Sequence, residues 1–397
     1  MSSRDNRQTE ILRDWRNNDY IGTLQACTGF GKTRVALRAL KARTNGKSAK
    51  VIVPTLYLQD QWNDRLKKWG QTDVDVMVIN SAVKESHDTE FLILDEIHRY
   101  ASPVFSQIFE KVKYKDLLGL TATLPHDDKY DLIRDHAPVF QRVRLHEALS
   151  NGWVAPFIVY NLPVEMSFVE EREYKRINEK YHKYFSYFSR NFGLVMKCLN
   201  NNNFCRRYAR QHNWDYNETK GRAANFMRTV NKRKKFLYGL TSKIKKARDI
   251  INLVDDKNVL VFTQSQSTAD TVAEYAKGRA KSYHSGMKGT ERNKVMQSFR
   301  DPNSGINVLT TAKALDEGAN LPDVSVAIIM SGSSKPLQAV QRMGRTIRAK
   351  EGKRAIIVEL YVPNTQDEKW LRNRQRKTPN SAIHRIHNID DIIIKAE

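Results

Sequence analysis

Acidic residues are scarce in this 397-residue chain: Asp and Glu number 44 against 67 Lys and Arg, a formal net charge of +23. An imbalance of that size points to a polyanionic partner, most simply nucleic acid, with mere solubility as the plainer alternative. Cysteine is scarce too. Cys27, Cys198 and Cys205 are too few and too scattered for a disulfide framework, so a reducing cytoplasm is the expected setting. No long apolar run occurs, so no membrane span is indicated. The opening MSSRDNRQTE lacks the apolar core of a secretory leader. What is present, 28% charged and 40% hydrophobic residues, fits a soluble globular chain of about two to three domains by length.

The positive charge is concentrated. Residues 171–250 hold 21 Lys and Arg against 6 Asp and Glu, a net of +15. Aromatic residues are interleaved, as in YHKYFSYFSRNF from Tyr181 to Phe192. Basic side chains neutralise phosphates and aromatic rings stack on bases, which is one use for such a segment. Tyr181, Tyr184, Phe185 and Phe188 also recur at helical spacing, which fits a packed core equally well.

The first 155 residues alternate apolar runs with amphipathic stretches. LQA, AKVIVPT, DVMVIN, FLILDE and DLLGLTAT read as strands, and TRVALRALKA and LQDQWNDRLKKW as helices. Such alternation predicts a parallel sheet covered on both faces. From about 166 to 250 the pattern is helical, with SFVEEREYKRINEKYHKYFSYF, a break at Asn200–Asn203, and TSKIKKARDIINLV. Alternation then resumes with NVLVFTQ, AKSYH, INVLTT, VSVAIIM and RAIIVELYV as strands. The expected organisation is α/β: one domain over 1–155 and a second over 156–397, with a basic helical insertion at about 166–250.

Two stretches carry chemistry. ACTGFGKT, Ala26 to Thr33, departs from the phosphate-loop pattern G-x-x-x-x-G-K-[ST] only at its first residue, and it follows a strand and opens a helix. Thr28, Gly29, Phe30, Gly31, Lys32 and Thr33 would form the nucleotide cradle. Backbone N–H groups and the helix N-terminus supply positive potential, Lys32 reaches the terminal phosphates, and the Thr33 hydroxyl can bind Mg²⁺. Alanine fits at the first position if Ala26 keeps an extended backbone. In FLILDEIH, Phe91 to His98, a buried strand delivers Asp95 and Glu96 at its end. Asp95 can share the Mg²⁺ ion with Thr33, and Glu96 can act as general base toward a water.

DEIH together with an A-x-x-G-x-G-K-T loop resembles the superfamily 2 helicases, DExH group, and further motifs follow in order over residues 8–365. Gln8 resembles the glutamine that reads the adenine edge. VIVPTLYLQDQW resembles a backbone-contacting motif, implicating Pro54 and Thr55. LGLTATLP resembles the motif that couples hydrolysis to movement, implicating Thr121, Ala122 and Thr123 with His98. VLVFTQSQSTAD resembles motif IV. VLTTAKALDEGANLPD resembles motif V, implicating Thr310 and Thr311 at nucleic acid and Glu317 and Gly318 at nucleotide. QAVQRMGRTIR resembles the arginine-finger motif, with Gln341, Arg345 and Arg348 completing the ATP site from the second domain. The resemblance implies two RecA-like domains, ATP and Mg²⁺, and an ATP-dependent DNA helicase or translocase acting 3′ to 5′. The phrases P-T-x-x-L-x-x-Q-W and L-D-E-G-x-x-x-P are most similar to the XPB and UvsW-like branch, which implies unwinding or branch migration of forked or branched DNA, as in recombination and repair. A duplex translocase that does not separate strands, and an RNA helicase, are the rival readings. A monomer in the cytoplasm of a prokaryotic or phage-infected cell is the expected setting.

Gly318-Ala319-Asn320 replaces the G-x-D common in motif V, so a nucleotide contact there would lack its charge. Members of the branch carry DNA-binding modules ahead of the motor, whereas Gln8 lies near the start of this sequence. The expectation is therefore that the basic insertion takes over that role, through Arg206, Arg207, Lys232, Arg233, Lys234 and Lys235. Cys198, Cys205 and His212 stand at C-x6-C-x6-H, unlike the tight pairs of structural zinc sites, and Cys27 reads as a small filler.

Overall fold

The computed structural model describes residues 2–43, 48–124, 128–154, 156–255, 257–276, 278–312, 321, 324–331, 355–376 and 378–392. In its first part the strands are β1 (Ile21–Ala26), β2 (Ala49–Val53), β3 (Val74–Val78), β4 (His87–Asp88), β5 (Phe91–Asp95), β6 (Val112–Lys113), β7 (Asp116–Thr121) and β8 (Val139–Val143). Six of them form a parallel sheet in the order β3-β2-β5-β7-β1-β8, while β4 and β6 pair apart. The continuous apolar run FLILD is buried at every position, as a strand covered on both faces requires. Val35, Ala36, Leu37, Ala39 and Leu40 bury one side of the helix Lys32–Arg43.

A helix the strand-and-helix reading did not anticipate, Ser3–Asn17, precedes this sheet. Ser2 caps it by accepting from Asp5 N–H, and Gln8, Ile11 and Trp15 form its buried stripe. Trp15 Nε1 donates to the carbonyl of Leu117 at 3.0 Å, which ties the helix to β7.

The second sheet is also parallel. Its strands are β9 (Phe157–Pro163), β10 (Val259–Thr263), β11 (Ala280–His284), β12 (Val308–Ala312), β13 (Val326–Ile329), β14 (Ala355–Tyr361) and β15 (Ile383–Arg385). Their order is β11-β12-β10-β13-β14-β9-β15. Among the described residues no strand lies between β9 and β10. Five helices fill the interval: Phe168–Ser186, Phe192–Asn200, Asn202–Gln211, Tyr216–Tyr238 and Thr241–Leu253.

The first four of these helices have a core of their own, built on Phe188, Val195, Cys198, Cys205, Tyr208, Ala223 and Phe226. Phe185 stacks on Phe226 at 4.7 Å between centroids. The aromatic run therefore serves packing; it is not an exposed platform for bases. Burial pushes the Cys198 thiol up to about 12. The insertion is joined to the second sheet by a buried polar group: Lys243 Nζ donates to Asp367 at 2.5 Å and to the Met330 carbonyl at 2.9 Å.

Candidate functional site

The register of the first sheet gathers the loops at one edge. Gln25 of β1 lies opposite Thr121 of β7, and Asp95 of β5 opposite Leu120. Three strand ends thus deliver the ACTGFGKT loop, the Asp95–His98 turn and Thr121–Thr123 side by side, at the carboxyl edge where parallel α/β sheets bind ligands.

Ala26 is the last residue of β1 and is fully buried. The left-handed conformations of the loop fall on Gly29 (φ 89°) and Gly31 (φ 101°), so alanine at the first position is unstrained. Lys32 opens its helix and folds back, its Nζ donating to the Ala26 carbonyl at 3.2 Å. Burial raises the Cys27 thiol to about 11, which makes it a filler and not a nucleophile. The Phe30 ring is buried against Trp153, so only its backbone is offered to a nucleotide.

Gln8 meets this loop from the first helix. Its Nε2 donates to the Phe30 carbonyl at 3.2 Å, while its Oε1 is buried with no partner. A Cβ built on Gly31 would lie 2.9 Å from Gln8 Nε2, so glycine is what lets the two segments meet. An orphaned acceptor beside a glycine-lined cradle is what adenine and a phosphate chain require, and the residues present fit ATP.

Asp95 and Glu96 end β5. Asp95 Oδ1 accepts from Glu96 N–H at 3.0 Å and Oδ2 from Trp62 Nε1 at 2.8 Å. Glu96 sits at φ 50°, a strained left-handed residue that turns its carboxylate toward His98. His98 Nδ1 lies 3.3 Å from Glu96 Oε2 and 3.1 Å from Thr121 Oγ1, and Thr121 Oγ1 donates to the Thr123 carbonyl at 2.8 Å. His98 thus stands between the acid pair and the third loop, hydrogen-bonded to Thr121 and within ion-pair distance of Glu96, with Ala122 between the two threonines. Burial raises the Asp95 carboxyl, and the adjacent Glu96 charge adds to it. Burial also acts to raise Glu96, but the His98 hydrogen bond and the charges of Lys32, His98 and Arg99 outweigh it and hold Glu96 below its usual value. Two carboxylates held this close to Lys32 form a donor set suited to a hard divalent cation.

The sequence reading missed two residues of this site, both on the helix Leu56–Lys68. Trp62 reaches Asp95, and Arg65 Nη1 donates to Thr33 Oγ1 at 2.9 Å. Trp62 was in view within P-T-x-x-L-x-x-Q-W, but nothing in that phrase shows which carboxylate it meets. Pro54 and Thr55 are half-exposed at the end of β2, where Thr55 caps the same helix by accepting from Leu58 N–H.

Other expectations are corrected. Thr310 and Thr311 are buried and not on the surface, Thr310 Oγ1 donating to the Ala269 carbonyl at 2.7 Å. Arg233 is half-buried over the Tyr181 ring and donates to Asn178 and to Gln366, which makes it a brace between the insertion and the second sheet's last long helix. Lys232 is paired with Glu173 at 3.2 Å. Arg206, Arg207, Lys234 and Lys235 are exposed. Glu317, Gly318, Gln341, Arg345 and Arg348 lie outside the described residues.

Among the described residues no helix is long and apolar enough to cross a membrane. Residues 3–90 and 79–126 match the family "Type III restriction enzyme, res subunit", and 242–350 match "Helicase conserved C-terminal domain". The chain is 27% identical over 395 residues to the DNA 3′-5′ translocase XPB2 of Sulfurisphaera tokodaii, covering 93% of this chain and 83% of that protein. It is 26% identical over 301 residues to the General transcription and DNA repair factor IIH helicase/translocase subunit XPB of Danio rerio, covering 74% of this chain and 32% of that subunit, so it spans about a third of that relative. The fold is similar to the Pyrococcus furiosus Hef helicase domain, with a TM-score of 0.58, 16% identity, and coverage of 92% of this chain and 96% of that one. Both halves of a two-domain motor are matched in chain order, and the chain belongs to the superfamily 2 helicases, the ATP-dependent helicase and translocase enzymes.

Proposed function

We propose that the chain converts ATP hydrolysis into 3′ to 5′ movement on DNA and that its preferred substrate is forked or branched, where movement unwinds or migrates the junction. The observation that carries the reading is the position of His98, within ion-pair distance of Glu96 and hydrogen-bonded to Thr121, between a carboxylate beside the phosphate loop and a loop of the neighbouring strand. In this reading Lys32 and the loop amides hold the phosphates, and Gln8 Oε1 accepts from the adenine amine. Thr33 and Asp95 hold Mg²⁺, which neutralises phosphate charge, and Glu96 orients the attacking water. Gln341, Arg345 and Arg348 complete the site when the second unit closes, and Glu317 and Gly318 contact the nucleotide. The two units divide at 155/156, and the insertion spans 166–250. Support for DNA and for polarity comes from the relatives, one named a 3′-5′ translocase. The UvsW-like, branch-migrating assignment rests on the sequence phrases alone.

The second reading, a duplex translocase that does not separate strands, is favoured by the word translocase in both relatives' names. ATPase rates measured with single strand, duplex, fork, four-way junction and RNA test the proposal. Greatest stimulation by fork or junction, with strand displacement, supports it. Stimulation by plain duplex without displacement supports the second reading, and stimulation by RNA alone sinks both.

A further inference from the structure

We propose that the groove between the helices Phe168–Ser186 and Tyr216–Tyr238 binds a DNA phosphodiester backbone, and that at rest the chain's own Glu173 occupies part of it as a displaceable anion. The inference rests on the reading of DNA as the partner and locates where the insertion grips it.

The two helices pack through Tyr181 and Phe185 against Phe226. Beside that seam lies a groove of about 210 Å³ lined by Arg176, Lys180 and Tyr184 from one helix and Asn225, Arg228 and Lys232 from the other. The spacings of three, four and seven or eight residues put each set on one helical face. Arg176 to Tyr184 covers about 12 Å of helix axis at 1.5 Å per residue. Four cations thus face one another from two elements.

Two of these cations already share one anion at the margin of the groove. Glu173 accepts from Arg176 Nε at 2.8 Å and Nη2 at 3.0 Å, and its Oε1 lies 3.2 Å from Lys232 Nζ. A carboxylate bridging both helices shows that donors from the two sides converge at anion-binding distance. Arg176 chiefly, helped by Lys232, holds the Glu173 carboxyl down to about 2 against the opposing effect of burial, so it is ionised at neutral pH. Lys180 and Arg228 have no carboxylate partner among the described residues, and Arg228 Nη1 is oriented by donating to Asn225 Oδ1 at 3.0 Å.

Two of the four cations therefore share one internal carboxylate and two are open, which leaves the cluster a net charge of +3. Along one strand DNA presents a phosphate every ~3.4 Å of duplex axis, so one phosphate meeting Lys180 and Arg228 brings its neighbours toward Arg176 and Lys232, where they compete with Glu173. The rings nearby are committed to the insertion core, so the contact is to backbone and independent of sequence.

The test is anisotropy of a fluorescein-labelled duplex with the full chain, without nucleotide, over a salt series. The Lys180→Gln, Arg228→Gln double variant should bind at least severalfold more weakly, with a log–log salt slope shallower by about two. Lys180→Arg with Arg228→Lys keeps the charges and should bind as wild type. Glu173→Gln should bind about threefold tighter with a steeper slope, because it frees two cations. Melting curves identify any variant that fails to fold, in which case the Arg–Lys exchange and Glu173→Gln still decide. If wild type binds and all variants match it in affinity and slope, the groove is refuted while the DNA reading stands. If wild type binds no DNA at all, the underlying reading fails and the groove with it.

Discussion

The indole of Trp62 donates a 2.8 Å hydrogen bond to Oδ2 of Asp95, and one turn further along the same helix Arg65 donates to Thr33. One helix, capped by Thr55 at its start, therefore touches both residues assigned to Mg²⁺. If Pro54 and Thr55 meet nucleic acid as proposed, a shift of this helix would be felt directly at the residues assigned to the metal. Trp62→Phe keeps the buried ring and removes the donor. A hydrogen bond to a charged acceptor contributes about 1.5–3 kcal/mol, so a loss of about ten- to a hundredfold in ATPase rate is expected. The Mg²⁺ concentration for half-maximal activity should rise with it. An unchanged Mg²⁺ titration refutes the coupling.

Glu96 and Lys32 should separate chemistry from binding. Glu96→Gln keeps the shape and the His98 contact but abolishes the base, and hydrolysis should fall by about 10²–10⁴ while labelled ATP still binds. Lys32→Ala removes a phosphate contact and should lose both. Equal loss of nucleotide binding in the two variants contradicts the assignment of Glu96 as base.

Gln8 offers a buried acceptor without a partner, poised over the loop by its bond to Phe30. Gln8→Glu should weaken ATP binding, because Glu cannot donate to the Phe30 carbonyl and a buried carboxylate is unfavourable beside a phosphate chain. Nucleotide preference should also flatten, so that ATP and GTP support similar rates. Retained discrimination for ATP would show that the base is read elsewhere.

Much of this was legible because buried parallel strands are continuous apolar runs: FLILD and VLVFT are strands wherever they stand. The edge strands β8 and β15 were not legible, since VFQRV has a single buried residue and IHR has none. The helix Ser3–Asn17 has a thin apolar stripe in a polar sequence, and its identity depends on the sheet it covers. Lys32, Asp95 and Glu96 were read from their motifs, and the fold brings them to one edge of the first sheet. Their supports were not, because Trp62 meets Asp95 across 33 residues and two strands, a pairing set by tertiary register. The aromatic run suited stacking on bases or on neighbours until Phe226 supplied the neighbour. Arg233 looked like its basic neighbours, and only the fold shows it turned inward over Tyr181.

Glu170 joins the starts of two helices. It accepts from Ser167 N–H at 2.9 Å and Ser242 N–H at 3.1 Å, and the Ser242 hydroxyl also donates to it. Burial acts to raise this carboxyl, but the Ser242 and Ser167 donors outweigh it and the net direction is down. A lowered folded value means stability that is present above the unfolded pKa, near 4.3, and lost as pH falls through the lower folded value. Glu170→Gln should therefore cost about 1 kcal/mol at neutral pH and progressively less under acid, measured by urea unfolding at each pH. A cost independent of pH would mean the contact is not ionic.

Lys243 and Asp367 are both fully buried, and their 2.5 Å pair joins the last helix of the basic region to the segment after β14. Burial lowers the Lys243 pKa against the attraction of Asp367, so the ammonium depends on its partners. Those partners are specific: Asp367 also accepts from Val362 N–H at 3.0 Å, and Lys243 also donates to Met330 at the end of β13. Removing one member leaves the other buried and unpaired, which costs about 3–5 kcal/mol. Lys243→Met and Asp367→Asn should each lower the unfolding free energy measured in urea by that much. Lys243→Met combined with Asp367→Leu removes both charges, and its cost should fall well short of the sum, because no unpaired ion remains. Duplex binding by the double variant, measured where it is folded, should match wild type if the pair is purely a strut. A binding loss beyond the stability effect would instead show that Lys243 takes part in the insertion's grip, and the single variants could then be ranked by coupling instead of by stability.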